Sequence, residues 1–328
     1  MSTPVSTTIG MRPYADEADL SAIVELLNVC ETVDQVGNST SVDELRRNFA
    51  DPEWDLGRDL CLWQDESGRL FGFAAIWKRV ADDHTSGHLW FNVHPEVRET
   101  GLEDQILTWA EQRMREVSRE LGVTVQLRAN ARANHEYRVA LLERYGFTSV
   151  RTFYRMTRSL SESLAEPSFP QGFTLRHVEA ERDAVVWVEM FNASFIDHWD
   201  HQPMTIERFK RSRTKADYNP EFDLIAVAPN GTFAAFCRAA IHPEDNARTG
   251  RNEGWINVLG TRRGFRKLGL GRAMLLSGLQ VLKTAKMESA LLGVDAENPS
   301  GALRLYESVG FTQLLASIVY GKEVRDEG

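Results

Sequence analysis

The chain has 328 residues, 42% of them hydrophobic, and a formal net charge of −9. That is roughly two domains' length with apolar residues for a core in each, and the acidic balance argues against a nucleic-acid partner. No run approaches eighteen apolar residues, so no membrane span is expected. Cys30, Cys61 and Cys237 lack a metal-ligand spacing and read as reduced thiols of a cytoplasmic protein without a metal.

In chain order, residues 1–10 are polar, carry neither a basic start nor an apolar core, and read as a disordered tail rather than a signal peptide. A short strand at 11–14 precedes an amphipathic helix over 16–29, with Leu20, Ile23, Val24, Leu26 and Leu27 on one side. Residues 60–63 and 70–77 form a hairpin around a Gly-containing turn. A strand over 88–93, a helix over 102–121 and a strand over 123–127 follow. Residues 161–171, with Ser, Glu and two prolines, read as a linker. The pattern then restarts: a strand from 172 to 176, a hairpin at 224–227 and 232–236 turned by Pro229-Asn230-Gly231, and a strand at 255–259.

Between that last strand and the next helix lies Arg266-Lys267-Leu268-Gly269-Leu270-Gly271-Arg272-Ala273. Two glycines let the backbone turn tightly with no Cβ in a ligand's way, and the first helical amides point outward, where they can receive an anion. Arg262, Arg263, Arg266, Lys267 and Arg272 surround them with positive charge. The simplest ligand is a pyrophosphate. A Walker-type loop lacks its Lys-Ser/Thr pair here, and a dinucleotide fingerprint meets Met274 where a third small residue is needed. Arg-x-x-Gly-x-Gly fits instead.

A second segment supports it. Residues 291–295 read as a strand, and Asn298-Pro299-Ser300-Gly301-Ala302-Leu303-Arg304-Leu305-Tyr306 runs on to Gly310-Phe311, with Asn298 expected as helix cap and Pro299 in the first turn. Together the two motifs, in this order and about thirty residues apart, resemble motif A and the strand 5–helix 4 region of the GCN5-related N-acetyltransferases (GNAT).

The chain also repeats itself. Asn134 to Phe147 superimposes on Asn298 to Phe311 without a gap, and Arg98-Glu99-Thr100-Gly101-Leu102-Glu103-Asp104 aligns with Arg266 to Arg272. An offset of about 164–168 residues means two similar folds in tandem. The expected architecture is α/β, with two tandem GNAT-like domains, each a mixed sheet flanked by helices: 1–160, a linker over 161–171, and 172–328. The first copy loses the chemistry. Glu103 stands in place of Gly271, Asp104 in place of Arg272, and Leu142 in place of Tyr306. Residues 93–106 hold one cation against four acids, net −3, whereas 258–273 hold five cations and no acid. Like charges 4 Å apart repel by roughly 4 kcal/mol at an effective dielectric of 20, so a carboxylate there opposes a bound pyrophosphate. Residues 1–160 therefore read as a degenerate half and 172–328 as the active one.

The resemblance implies acetyl transfer from acetyl-coenzyme A to an amine. It implies that Leu259, Gly260 and Thr261 hydrogen-bond the pantetheine on a strand splayed from its neighbour. The amides of Lys267, Leu268, Gly269, Leu270, Gly271 and Arg272 would take the pyrophosphate, with Arg266 and Lys267 adding charge; Asn298 caps its helix or reaches the pantetheine. Tyr306, a phenol protonated at neutral pH, is the expected general acid, and Glu253 or Asp295 the base. The acceptor, a small-molecule amine, is expected beside Phe195, Asp197, His198 and Trp199, whose rings and carboxylate suit an ammonium. The whole chain resembles tandem members of the family, among them one with a degraded first copy and a second that acylates an amino-sugar conjugate of cysteine. An acyl-coenzyme A-binding sensor or interaction protein without turnover, or acylation of such an amino-sugar conjugate, is the alternative. A monomer or weak homodimer is expected.

Overall fold

A computed structural model describes residues 8–34, 40–80, 85–214 and 218–325. The expected disordered tail lies largely outside them; strand β1 begins at Gly10, the last residue assigned to it. Elements follow as β1 (Gly10–Pro13), α1 (Ala18–Asp34), α2 (Val42–Phe49), α3 (Leu56–Asp59), β2 (Leu60–Gln64), β3 (Leu70–Val80), β4 (Thr85–Val93), α4 (Leu102–Leu121), β5 (Val125–Arg132), α5 (Glu136–Arg144) and β6 (Thr148–Ser159). The second series is β7 (Thr174–His177), α6 (Ala180–Phe195), α7 (Ile206–Arg213), β8 (Asp223–Val227), β9 (Phe233–Ile241), α8 (Pro243–Thr249), β10 (Glu253–Thr261), α9 (Leu270–Thr284), β11 (Ser289–Asp295), α10 (Ala302–Ser308) and β12 (Thr312–Val324).

The chain forms two compact units: residues 1–151 with 317–328, and residues 152–316. In the first, antiparallel β1, β2, β3 and β4 continue into β5, which runs parallel to β4. In the second, β7, β8, β9 and β10 repeat that order and β11 runs parallel to β10. Both are mixed α/β sheets with helices on both faces. In the first, α4 packs with Ile76, Phe91 and Leu127 on one side while α1 packs with Leu62 and Phe73 on the other. In the second, α9 packs with Ile256 and Leu292, and α6 with Ile225 and Phe236.

The last strands differ from the sequence division at 160. From Thr152 onward β6 belongs to the second unit, where Phe153 to Ser159 pair antiparallel with Asp295 to Ser289. From Ser317 onward β12 belongs to the first, pairing with β5 from Ser317↔Arg132 to Val324↔Val125. Residues 161–171 thus lie within the second unit. Strand pairing is nonlocal, so chain order does not say which β11-like strand a β-run joins.

Helix α10 also starts later than expected. Its cap is Gly301, at φ 77°, and Ala302 is the first helical residue. Asn298 instead accepts from the amide (2.9 Å) and hydroxyl (2.6 Å) of Ser300. Its short polar side chain closes a local turn and so competes with helix initiation.

Candidate active site

Strands β10 and β11 are paired only from Glu253↔Ser289 to Ile256↔Leu292. Asn257 is a bulge, since Ile256 pairs with Ala239 and Val258 with Arg238. A bulge bends its strand and strengthens the twist. Beyond it β10 follows β9 to Thr261, while β11 goes on to Asp295 without pairing to β10. The β11-facing peptide edge of Leu259, Gly260 and Thr261 is left without a strand partner across the gap, as the splay expectation requires.

At the end of β10 the chain turns through Lys267 (φ 66°) and Gly269 (φ 86°) into α9, with no side-chain cap on the helix. A left-handed backbone here aims successive amides toward one point. Lys267, Leu268 and Gly269 are exposed. A Cβ on Gly271 would lie 3.4 Å from Leu305 Cδ2 and 3.5 Å from Thr261 Oγ1, so any longer side chain would enter the space between β10, α9 and α10.

Arg266 does something other than present charge. Its Nε donates to Thr261 O (3.3 Å), Nη2 to Ser194 O (2.8 Å) and Nη1 to Asp197 (2.9 Å). Arg263 also pairs with Asp197. These two guanidiniums, Arg266 foremost, hold the Asp197 carboxyl below its usual range. Asp197, expected to hold an ammonium, is therefore committed to Arg263 and Arg266. Arg272 donates to Ser308 O (3.2 Å) and Oγ (2.9 Å), tying α9 to α10.

The first unit keeps this frame. Arg98 Nε donates to Val93 O (3.2 Å), and its two terminal nitrogens reach the Asp34 carboxylate at 2.7 Å each. Glu99 (φ 60°) and Gly101 (φ 100°) repeat the turn, and β4 and β5 separate after Leu89↔Ala129. Here the gap is filled. Arg138, partly buried, donates to Phe91 O (3.0 Å) on β4 and Asn130 O (2.7 Å) on β5, bridging the separated strands. Burial draws its pKa down to about 10. Glu103, 1% exposed, accepts from the Glu99 amide (2.9 Å) and from the Tyr137 hydroxyl. A carboxylate of the chain thus sits on the loop's own amide. The aligned positions in the second unit are Gly271 for Glu103, Gly301 for Tyr137 and Ala302 for Arg138. Sequence comparison found the first of these and missed the other two, though both lie inside the repeat it had aligned.

The remaining expected residues separate. Tyr306 on α10 is 8% exposed, its ring edge-on to Phe311 at 6.1 Å, and burial raises its phenol well above the ordinary value. Asp295, 2% exposed at the end of β11, accepts from the Glu297 amide (3.0 Å). Glu253 lies in the paired part of β10, four positions before the bulge, roughly 13 Å of strand away. Phe195 packs with His198 and Phe236 (5.6 and 6.1 Å), His198 Nδ1 bonds Trp199 O (2.8 Å), and Trp199 faces Phe153 at 6.0 Å.

A family model described as "Acetyltransferase (GNAT) family" matches residues 185–311. A mycothiol acetyltransferase of Thermobispora bispora is 30% identical over 302 residues, covering 92% of this chain and 95% of its own. The chain belongs to the GNAT acetyltransferase family. Another relative of the same name, from Nocardiopsis dassonvillei, is 28% identical over 98% of this chain and 96% of its own. Among solved structures, a GCN5-related N-acetyltransferase from Sphaerobacter thermophilus superimposes with a TM-score of 0.76 at 26% identity, covering 97% and 96% of the two chains. A tandem GNAT protein from the clavulanic acid biosynthesis pathway shares the fold, with a TM-score of 0.68 at 16% identity over 96% and 98%. This acetyltransferase uses acetyl-coenzyme A, as its family does. Among the described residues no helix is long and apolar enough to cross a membrane.

Proposed function

We propose that the protein transfers acetyl from acetyl-coenzyme A to the primary amine of a small molecule, by direct attack, in the second unit only. The observation that carries this reading is the contrast between two copies of one cleft. The gap beside β4 is filled by Glu103, Tyr137 and Arg138, whereas the aligned positions of the second unit are Gly271, Gly301 and Ala302, none of which has a side chain that could fill the gap beside β10 in that way. The amides of Lys267 to Arg272 would hold the pyrophosphate, with Lys267 adding charge. Arg266 serves by fixing the loop to Thr261, Ser194 and Asp197. The free edge of Leu259, Gly260 and Thr261 would take the pantetheine amides; Asn298 shapes the turn before α10.

The bound thioester supplies the acetyl group. Tyr306, kept neutral by burial, would donate its proton to the departing thiolate. Of the two candidate bases, Asp295 is nearer the open end of the gap but has an amide on it, and Glu253 would act through water. Titration of the protein with coenzyme A tests the reading: one site per chain is expected, lost in Gly271→Glu and kept in a Glu103→Gln variant. Two equal sites would defeat it. Binding without thiol release across a broad amine panel would favour the sensor.

A second reading of the acceptor is an amino-sugar conjugate of cysteine. It is favoured by relatives named mycothiol acetyltransferase that span nearly the whole chain.

A further inference from the structure

The face of the second sheet opposite α9 carries a cation that the acetyl-transfer chemistry does not use. Register places Arg155 of β6 directly across from Gly293 of β11. From there its guanidinium reaches over the Trp255 ring of β10, 5.2 Å from the ring centroid. Gly293 is exposed, and a Cβ built on it would meet nothing within 4 Å, so the space beside the guanidinium is open. Burial pulls the Arg155 pKa down, with Glu253 the opposing charge. Among the described residues no oxygen accepts a hydrogen bond from it. A guanidinium has five donors in a planar fork, and those of Arg155 face open space rather than a protein acceptor. Stacking on an indole fixes the plane and leaves the fork's edge free.

The first unit makes a useful control. The residue across from Asn130, at the matching exposed place on β5, is Val319, and it is buried. The cation is therefore not needed to build this sheet. It belongs to the copy whose cofactor cleft is open.

We infer that Arg155, held on Trp255, binds an anionic group of the acceptor, so that the substrate is an amine that also carries a carboxylate or phosphoryl group. Glu253, two residues before Trp255 and so on the same face of β10, offers the complementary charge for the ammonium, its present neighbour being the exposed Arg251 at 3.7 Å. This rests on acetyl transfer in the second unit.

The test measures thiol release from acetyl-coenzyme A with matched amines: an aminocarboxylate, its aminophosphonate and its carboxamide, with a neutral amino sugar as a fourth arm. In the unaltered protein kcat/KM for one of the acids should exceed that for the carboxamide at least tenfold, and which acid leads identifies the group. Arg155→Met should erase the preference through KM, leave the carboxamide rate unchanged and keep one coenzyme A per chain; Arg155→Lys should recover part of it. Equal or better turnover of the carboxamide or amino sugar overturns the inference. So does a uniform loss across all acceptors in Arg155→Met, or loss of coenzyme A binding in both variants. If coenzyme A binds once and no amine releases thiol, the acetyl-transfer reading itself falls, and the inference with it.

Discussion

At one position of the turn, Glu103 places a carboxylate on the loop's own amide where the second unit has Gly271. Both turns take left-handed backbone at the matching positions, Glu99 and Gly101 in one and Lys267 and Gly269 in the other. Gly271→Glu should abolish coenzyme A binding in calorimetry without lowering the melting temperature much, since the aligned turn already accommodates glutamate. Tyr306→Phe should lower kcat by about 10²-fold, within the usual range for general acids, while coenzyme A affinity is unchanged. Because burial raises the phenol's pKa, the alkaline fall in rate caused by deprotonation of Tyr306 should not appear in the pH–rate profile below about 10, the ordinary phenol value. Charge counting in the sequence identified the loop correctly as cationic. It could not tell that Arg266 and Arg263 share Asp197, because residue separations of 69 and 66 carry no local signal.

At the level of elements, each first helix ends by clamping the turn after the matching strand: α1 through Asp34 to Arg98, and the residues after α6 through Asp197 to Arg266. The first clamp is the more enclosed, with side chains 17% and 9% exposed. Asp34→Ala should destabilise the first unit by roughly 1.5–3 kcal/mol, the value of hydrogen bonds to a charged group, read from urea unfolding. Histidines that are wholly or partly buried act on the same scale. His94, His135 and His201 all have pKa values lowered mainly by desolvation. The unfolded chain then binds protons more readily, so stability is full at neutral pH and is lost as pH falls through about 6.5. Asp19 and Asp183 are also lowered, Asp19 chiefly by its hydrogen bond from Arg12 and Asp183 by hydrogen bonds outweighing its burial; they extend the loss below about pH 4. A melting temperature that rises between pH 7 and 5 would contradict this.

Across the whole molecule, the exchange of final strands sets how the two units depend on one chain. The first unit is completed by Ser317 to Val324 and the second by Phe153 to Ser159. A chain stopped after residue 316 should lose protease resistance in residues 1–151, although the deletion is far away in sequence, because it leaves the edge of β5 unpaired. A fragment beginning at 172 should fold poorly for lack of β6. Limited proteolysis followed by mass spectrometry would show a cut pattern confined to the second unit if the exchange were absent.

Much of this was legible without coordinates. Helix α4 matches the sequence pattern residue for residue, and the strands leading to Gly101 and Gly269 were read within a few positions, because periodicity and glycine placement are local consequences of backbone sterics. The sequence by itself determined the tandem GNAT repeat, the cationic loop and the loss of charge complementarity in the first copy. Tertiary structure alone decided three things: where β6 and β12 go, that Arg138 and Glu103 occupy the first cleft, and that Arg155 lies over Trp255. Each depends on residues brought together by strand pairing or burial, and neither composition nor spacing encodes which distant partner a strand edge or a guanidinium will find.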